Sequence, residues 1–242
     1  MWSVWPEPVD VYLGTRCVAA CRGSDVLHVA QPGSAEACRA ELRRWAAHGR
    51  PPGVRWRIWL SGGLCQPWLV PVAHGVGSVA ERAQVARASL AGLGLARDAR
   101  LWLERAPLDQ AAVAVALDPA TADFADAWSR ERGARLVSLR PWWAEALGQG
   151  LRRAARPDAV AVVDCDSVTW LATDGAGFSH AKAFTPLTEP TAIAQTIARQ
   201  KLVLAAERPV VSTWTLRLEA GAPRAGALPA GLPLAAFAEA AE

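Results

Sequence analysis

Apolar positions along this chain alternate in short runs of period two, then switch to a helical period near 3.6, and Gly, Pro and Ser mark the switches. Val9 to Leu13 alternates, and Gly14-Thr15 turns the chain. Arg16 to Arg22 reads as a second strand, Gly23-Ser24 turns it back, and Asp25 to Ala30 reads as a third. Tight turns between short alternating runs predict an antiparallel meander. After Gln31-Pro32-Gly33, Ser34 is placed to cap a helix running to Ala47, with Cys38, Leu42 and Trp45 on one stripe. The segment His48 to Gly53 ends that helix. A strand over Val54 to Leu60 leads into the turn Ser61-Gly62-Gly63, and Pro67 to Pro71 is extended.

Ser78-Val79-Ala80-Glu81 is a capping box that opens a helix to Ala91, stopped by Gly92-Leu93-Gly94. Strands are predicted over Ala99 to Glu104 and Ala111 to Leu117. Asp118-Pro119 supplies an N-cap followed by proline at the first helical position, and Gly133 terminates the helix that reaches Arg132. A short strand over Arg135 to Ser138 precedes a helix from Pro141 to Ala154. The opening logic then returns, with strands over Ala159 to Asp164, Ser167 to Ala172 and Gly177 to Phe184 and a turn at Thr173-Asp174-Gly175. A helix from Pro190 to Ala206 and strands over Pro209 to Ser212 and Thr215 to Leu218 follow. From Glu219 the composition predicts a loosely packed tail with a short helix over Leu234 to Ala241. The pattern βββα therefore occurs twice, from Val9 and from Val160, with βαβα between Val113 and Ala154.

Composition narrows the function classes. A net charge of +3 and no basic run interleaved with aromatics give no footprint for nucleic acid. The densest basic stretch, Arg152, Arg153 and Arg156, sits at a predicted helix end, where cations suit the dipole. No apolar run approaches the roughly 20 residues of a membrane helix, so no membrane insertion is expected and a cytoplasmic location is. Cys17, Cys21, Cys38, Cys65 and Cys165 have irregular spacings and form no disulfide framework. Cys17 and Cys21 share one strand face, where buried thiols are favoured over a metal site. The chain has twelve tryptophans. They read mainly as packing between sheet and helices, and an aromatic groove for a peptide stays open for a few. His28, His48, His74 and His180 are scattered, with no HExxH spacing and no Ser/His/Asp constellation.

The duplicated βββαβα order resembles the actin-like superfold (actin, Hsp70 and sugar kinases), an α/β architecture with ribonuclease-H-like lobes. In that family a hairpin turn in each lobe wraps the nucleotide phosphates. The first turn usually reads Asp-x-Gly-Thr or Asp-x-Gly-Ser, and the matching stretch here is Tyr12-Leu13-Gly14-Thr15. The second usually reads Asp-x-Gly-Gly-x-Thr, and here it is Asp164-Cys165-Asp166-Ser167-Val168-Thr169. Within the superfold the chain is similar to PilM and to the cytoplasmic domain of GspL, over residues 9 to 206. The resemblance implies a first lobe over 9–155 with an inserted small subdomain, a truncated second lobe over 156–218 and a flexible tail over 219–242. It also implies that Gly14, Thr15, Asp164, Asp166, Ser167 and Thr169 are the remains of phosphate loops.

Those remains depart from the family pattern. Tyr12 stands where an acidic residue coordinates metal-bound water, and a phenol is un-ionised at neutral pH. Asp10, two residues earlier on the same strand face, is the alternative carboxylate. Asp166 and Ser167 replace glycines whose backbone N–H groups approach phosphate. A carboxylate about 4 Å from a phosphate charge costs on the order of 4 kcal/mol at a surface-like dielectric. Gly14-Thr15 also reads as simple hairpin chemistry, and Gly62-Gly63 as a turn. These departures accordingly imply no catalysis and no cofactor, with ATP and Mg²⁺ as the alternative, since a bridging Mg²⁺ would offset the repulsion from Asp166. The resemblance implies a scaffold docking an inner-membrane pilus or secretion assembly protein, or the secretion ATPase, and peripheral to the inner membrane through that partner. A nucleotide-binding switch or kinase-like ATPase of the same fold is the alternative, and a regulatory protein unrelated to secretion is a third reading.

Overall fold

The computed structural model describes residues 8–22, 25–48, 54–131, 135–151, 157–175, 177–207, 212–217 and 235–239. A first, five-stranded sheet is built from β1 (Val9–Leu13), β2 (Val18–Arg22), β3 (Asp25–Ala30), β4 (Arg55–Leu60) and β8 (Arg135–Pro141), in the order β3-β2-β1-β4-β8. The meander β1-β2-β3 is antiparallel, whereas β4 runs parallel to β1 and β8 parallel to β4. The two parallel steps require crossovers, and helices make them. Helix α1 (Ala35–Ala47) lies between β3 and β4, and α3 (Pro119–Glu131) precedes β8.

A second sheet has eight strands. Its members are β5 (Cys65–Val70), β6 (Arg100–Leu103), β7 (Ala112–Leu117), β9 (Ala159–Val163), β10 (Val168–Thr173), β11 (Phe178–Phe184), β12 (Thr213–Arg217) and β13 (Ala235–Glu239). Their order is β13-β12-β9-β10-β11-β5-β7-β6. The run β11-β10-β9-β12 repeats β3-β2-β1-β4 strand for strand, with the same antiparallel meander and the same parallel fourth strand. The duplication expected from the sequence is thus present as topology. The strands β5, β7 and β6 join β11 through a single paired position, Lys182 opposite Trp68.

Local signals explain most element starts. Ser34 Oγ accepts the Ala37 N–H at 3.1 Å at the head of α1. Ser78 Oγ accepts the Glu81 N–H at 3.2 Å at the head of α2 (Val79–Ser89), while Glu81 accepts the Gly77 N–H at 2.8 Å. The reciprocal bond of the capping box therefore lands one residue earlier than the pattern predicts. Asp118 accepts the Thr121 N–H at 2.9 Å at the head of α3. The stop after α2 is Gly94 at φ 71°, a left-handed position.

Strands β1, β7 and β9 are buried along their whole length, as central strands covered on both faces must be. Helix α4 (Trp142–Leu151) touches β8 of the first sheet and β9 and β12 of the second, so it stands between the two halves. Trp56 and Trp128 pack edge-on in the first core, with centroids 5.2 Å apart. Helix α5 (Pro190–Glu207) covers β9 and β10 with Ile193, Ile197 and Leu204. Arg82 on α2 is buried and donates to the carbonyls of Ala106 and Pro107 at 2.8 and 2.5 Å, which ties that helix to the loop after β6. No helix among the described residues is long and apolar enough to cross a membrane.

The C-terminal expectation needs correction. Residues 235–239 form strand β13, antiparallel to β12, instead of the helix predicted over Leu234 to Ala241. A free sheet edge with unpaired backbone groups overrides the helical preference of an alanine-rich segment. The remaining tail residues, the turn Gly23-Ser24, the helix end at Gly133 and the basic stretch Arg152, Arg153 and Arg156 lie outside the described residues.

Candidate functional site

The structure brings all six residues of the predicted phosphate loops to one place, where the turns after β1, β4 and β9 meet. The turn after β1 is closed by the Gly14 N–H on the Cys17 carbonyl at 2.8 Å. It leaves the backbone N–H groups of Thr15 and Arg16 pointing together, and consecutive N–H groups of this kind form a cradle for an anion. The anion in that cradle is Asp166. Its Oδ2 accepts from the Thr15 N–H, from Thr15 Oγ1 at 2.7 Å and from the Arg16 N–H at 3.3 Å. Asp166 is itself fully buried.

Asp164 organises the opposite turn. Its Oδ1 accepts from the backbone N–H groups of Asp166 and Ser167 at 3.2 and 2.8 Å and from Ser167 Oγ at 2.8 Å, and its Oδ2 accepts from the Gly62 N–H at 2.9 Å. Four donors favour the ionised carboxylate, but burial and then the neighbouring Asp166 charge outweigh them and push Asp164 up to about 8. Burial first, and then the Asp164 carboxylate, also raise the Tyr12 phenol, so Tyr12 stays neutral. No basic side chain is hydrogen-bonded to Asp164 or Asp166 among the described residues.

Gly62 and Gly63 form the third side of the site. A Cβ on Gly62 would lie 2.5 Å from Thr169 Oγ1 and 2.6 Å from Ser167 Oγ, and one on Gly63 would lie 2.8 Å from the Thr15 methyl. Only residues without a side chain let this turn enter the junction. Their part in the site escaped the sequence reading, which found only a turn. The available signal was a glycine pair directly after a buried strand. Ser61 escaped it too. The hydroxyls of Tyr12, Ser61 and Thr169 and Asp166 Oδ1 are buried here without a hydrogen-bond partner among the described residues.

Asp10 is not the substitute carboxylate. It binds Arg57 through two bonds of 2.6 and 2.8 Å and accepts from Trp59 Nε1 at 3.2 Å. The register that sets Asp10 opposite Arg57 on β4 accounts for this. Cys21 and Cys17 join no metal-binding group among the described residues.

A second feature is a groove of about 660 Å³ between β6, β7 and β11 on one side and β8 and α4 on the other. Its walls are apolar, from Trp102, Val113, Val115, Leu139, Trp143 and Phe178, with Glu104 and Arg140 as its charged side chains. The sequence allows an aromatic groove but does not place it. Trp102 and Trp143 are the tryptophans that line this one.

No family model matches the chain, and no curated protein matches it in sequence. Solved structures do match in fold. A protein of unknown function with an actin-like ATPase fold from Bacteroides thetaiotaomicron superposes with a TM-score of 0.57 at 8% identity, over 90% of this chain and 84% of that one. A chain of the PilM–PilN type IV pilus biogenesis complex superposes with a TM-score of 0.54 at 14% identity, over 87% and 81%. The cytoplasmic domain of EpsL, an inner-membrane component of the type II secretion system of Vibrio cholerae, gives 0.46 at 14% identity, over 86% and 81%. The fold is therefore the actin-like one, reduced in size, and its structural neighbours include PilM and the EpsL cytoplasmic domain.

Proposed function

We propose that the chain is a non-enzymatic docking subunit of a type IV pilus or type II secretion assembly. It would work at the cytoplasmic face of the inner membrane, to which a membrane-anchored partner tethers it. The observation that carries this reading is the Asp166 carboxylate seated on the Thr15 and Arg16 N–H groups. The donors that hold phosphate in this fold are spent on an internal anion, so the residues present do not fit a nucleotide phosphate. The division into lobes over 9–155 and 156–218 belongs to the same proposal. The apolar groove beside α4 is the surface left for a partner, and an apolar segment flanked by charge suits its lining. A secretion ATPase is the other candidate partner.

The test is affinity capture from the source cells with the purified chain and with Ala144→Arg, an exposed α4 position on the groove wall. A pilus or secretion assembly protein should be recovered by the parent chain and lost in the variant. Recovery of no such component by either chain would overturn the reading.

A nucleotide-binding switch is the second reading, favoured by the buried, unpartnered oxygens of Tyr12, Ser61, Asp166 and Thr169. It requires Asp166 to leave the cradle. Calorimetric titration of Mg-ATP into the parent chain decides it. Micromolar binding that disappears in Asp164→Ala supports the switch, and no binding up to millimolar nucleotide supports the docking subunit.

A further inference from the structure

Two of the three turns that meet at the site carry one cysteine each. Cys17 follows the Gly14-Thr15-Arg16 cradle, and Cys165 sits between the two buried aspartates. The bonds from Thr15 and Arg16 to Asp166 hold the two turns together on either side of these cysteines. The Leu187 N–H on the Asp166 carbonyl at 2.9 Å pins the second turn from behind. Both thiols are free, and the Cys165 side chain is close enough to Cys17 to raise its thiol. Their accessibility differs. Cys165 is half-buried, whereas Cys17 is only 5% exposed, and Cys21, Cys38 and Cys65 are fully buried.

We propose that Cys17 and Cys165 are a reversible oxidation site, in which peroxide converts the thiol pair to a disulfide that staples the two turns shut over Asp166. The inference is independent of whether a partner docks in the groove. Its chemistry runs in two steps. The Cys165 sulfur attacks one peroxide oxygen and breaks the O–O bond. The peroxide takes up the electron pair, and Cys165-SOH and water form. The Cys17 sulfur then attacks the sulfenic sulfur, the hydroxyl leaves as water with the thiol proton, and the S–S bond forms. Two thiols are oxidised and one peroxide is reduced, with two waters released. Exposure sets the order, since the oxidant meets Cys165 first. The neighbouring Cys165 side chain, burial and the nearby aspartates all keep Cys17 protonated, which makes it the slow resolving thiol. The cross-link would join positions far apart in sequence, so it removes much freedom from the unfolded chain. It would also prevent Asp166 from leaving the cradle.

The experiment treats the full chain with hydrogen peroxide, alkylates free thiols in denaturant without reductant, and maps the digest by mass spectrometry. The expected result is a Cys17–Cys165 linked peptide that dithiothreitol removes, with Cys21, Cys38 and Cys65 alkylated. Oxidation should raise Tm by on the order of 5 °C. Cys165→Ser, a change at a half-buried site, should abolish both the linked peptide and the Tm shift. Cys17→Ser should leave Cys165 as a sulfenic acid trapped by dimedone. Recovery of Cys17 as a free thiol while Cys165 advances to sulfinic acid would overturn the proposal, as would a Tm rise on oxidation that persists in Cys165→Ser.

Discussion

The junction of the three turns and the groove beside α4 are built on opposite principles. At the junction, donors and acceptors close on one another: Asp166 fills the Thr15–Arg16 cradle, Asp164 takes four donors, and Gly62 has no room for a methyl group. The groove has an apolar lining with few polar groups to satisfy. A ligand at the Thr15 and Arg16 N–H groups gains little, because each new bond there replaces one to Asp166, although the oxygens of Tyr12, Ser61 and Thr169 beside them have no partner among the described residues. An open apolar surface gains the full value of removing its area from water. The groove therefore offers open apolar area, whereas the junction has its Thr15 and Arg16 donors occupied.

Substitutions can break this contrast from either side. The largest effect on stability is expected from Gly62→Ala, whose Cβ would fall 2.5 Å from Thr169 Oγ1. Overpacking of this kind should cost about 3 kcal/mol, read as a lower urea midpoint. Asp166→Ala should cost about 1–2 kcal/mol by stranding the Thr15 and Arg16 donors. It should also reopen the cradle, so that inorganic phosphate, undetectable against the parent chain, protects the variant in thermal melts. If phosphate leaves the variant's Tm unchanged, the cradle is not an anion site.

A pH series sharpens the comparison further. The folded chain holds the Asp164 proton up to about pH 8, whereas the unfolded carboxyl releases it in the ordinary range. More protons are then bound folded than unfolded, so this group's contribution is complete at low pH and declines as pH rises toward 8. Asp164→Asn should flatten that decline, and the difference between variant and parent urea midpoints at pH 5 and pH 8 measures it. The smallest effect on stability belongs to Ala144→Arg, at an exposed helical position, within about 0.5 kcal/mol of the parent. Its binding defect should nevertheless be tenfold or more, measured with a peptide from whichever partner is captured.

What the sequence disclosed was local. Ser34, Ser78 and Asp118 announce their helices because a cap acts within three residues. The two meanders were legible because alternation and turn chemistry are short-range. The plug was not, since Thr15 and Asp166 are 151 positions apart and nothing near either names the other. The same applies to Asp10, whose partner depends on the register of a parallel strand 47 residues on. Strand β13 escaped because a neighbouring edge, not its own composition, decides its conformation. The groove escaped because its walls come from elements that only tertiary packing brings together.

The pairing of Lys182 with Trp68 is the only backbone register that joins β5, β7 and β6 to the rest of the second sheet among the described residues. Mechanically it is a seam. A load applied across the sheet meets a full ladder at β9–β10 and one rung at β11–β5. The panel beyond the seam carries Trp102, Val113 and Val115, while Leu139 and Trp143 sit on the opposite wall. Behind the groove the same walls are joined by one apolar core that Val113, Val115 and Trp143 share, so side-chain packing, more than the backbone ladder, holds that panel in place.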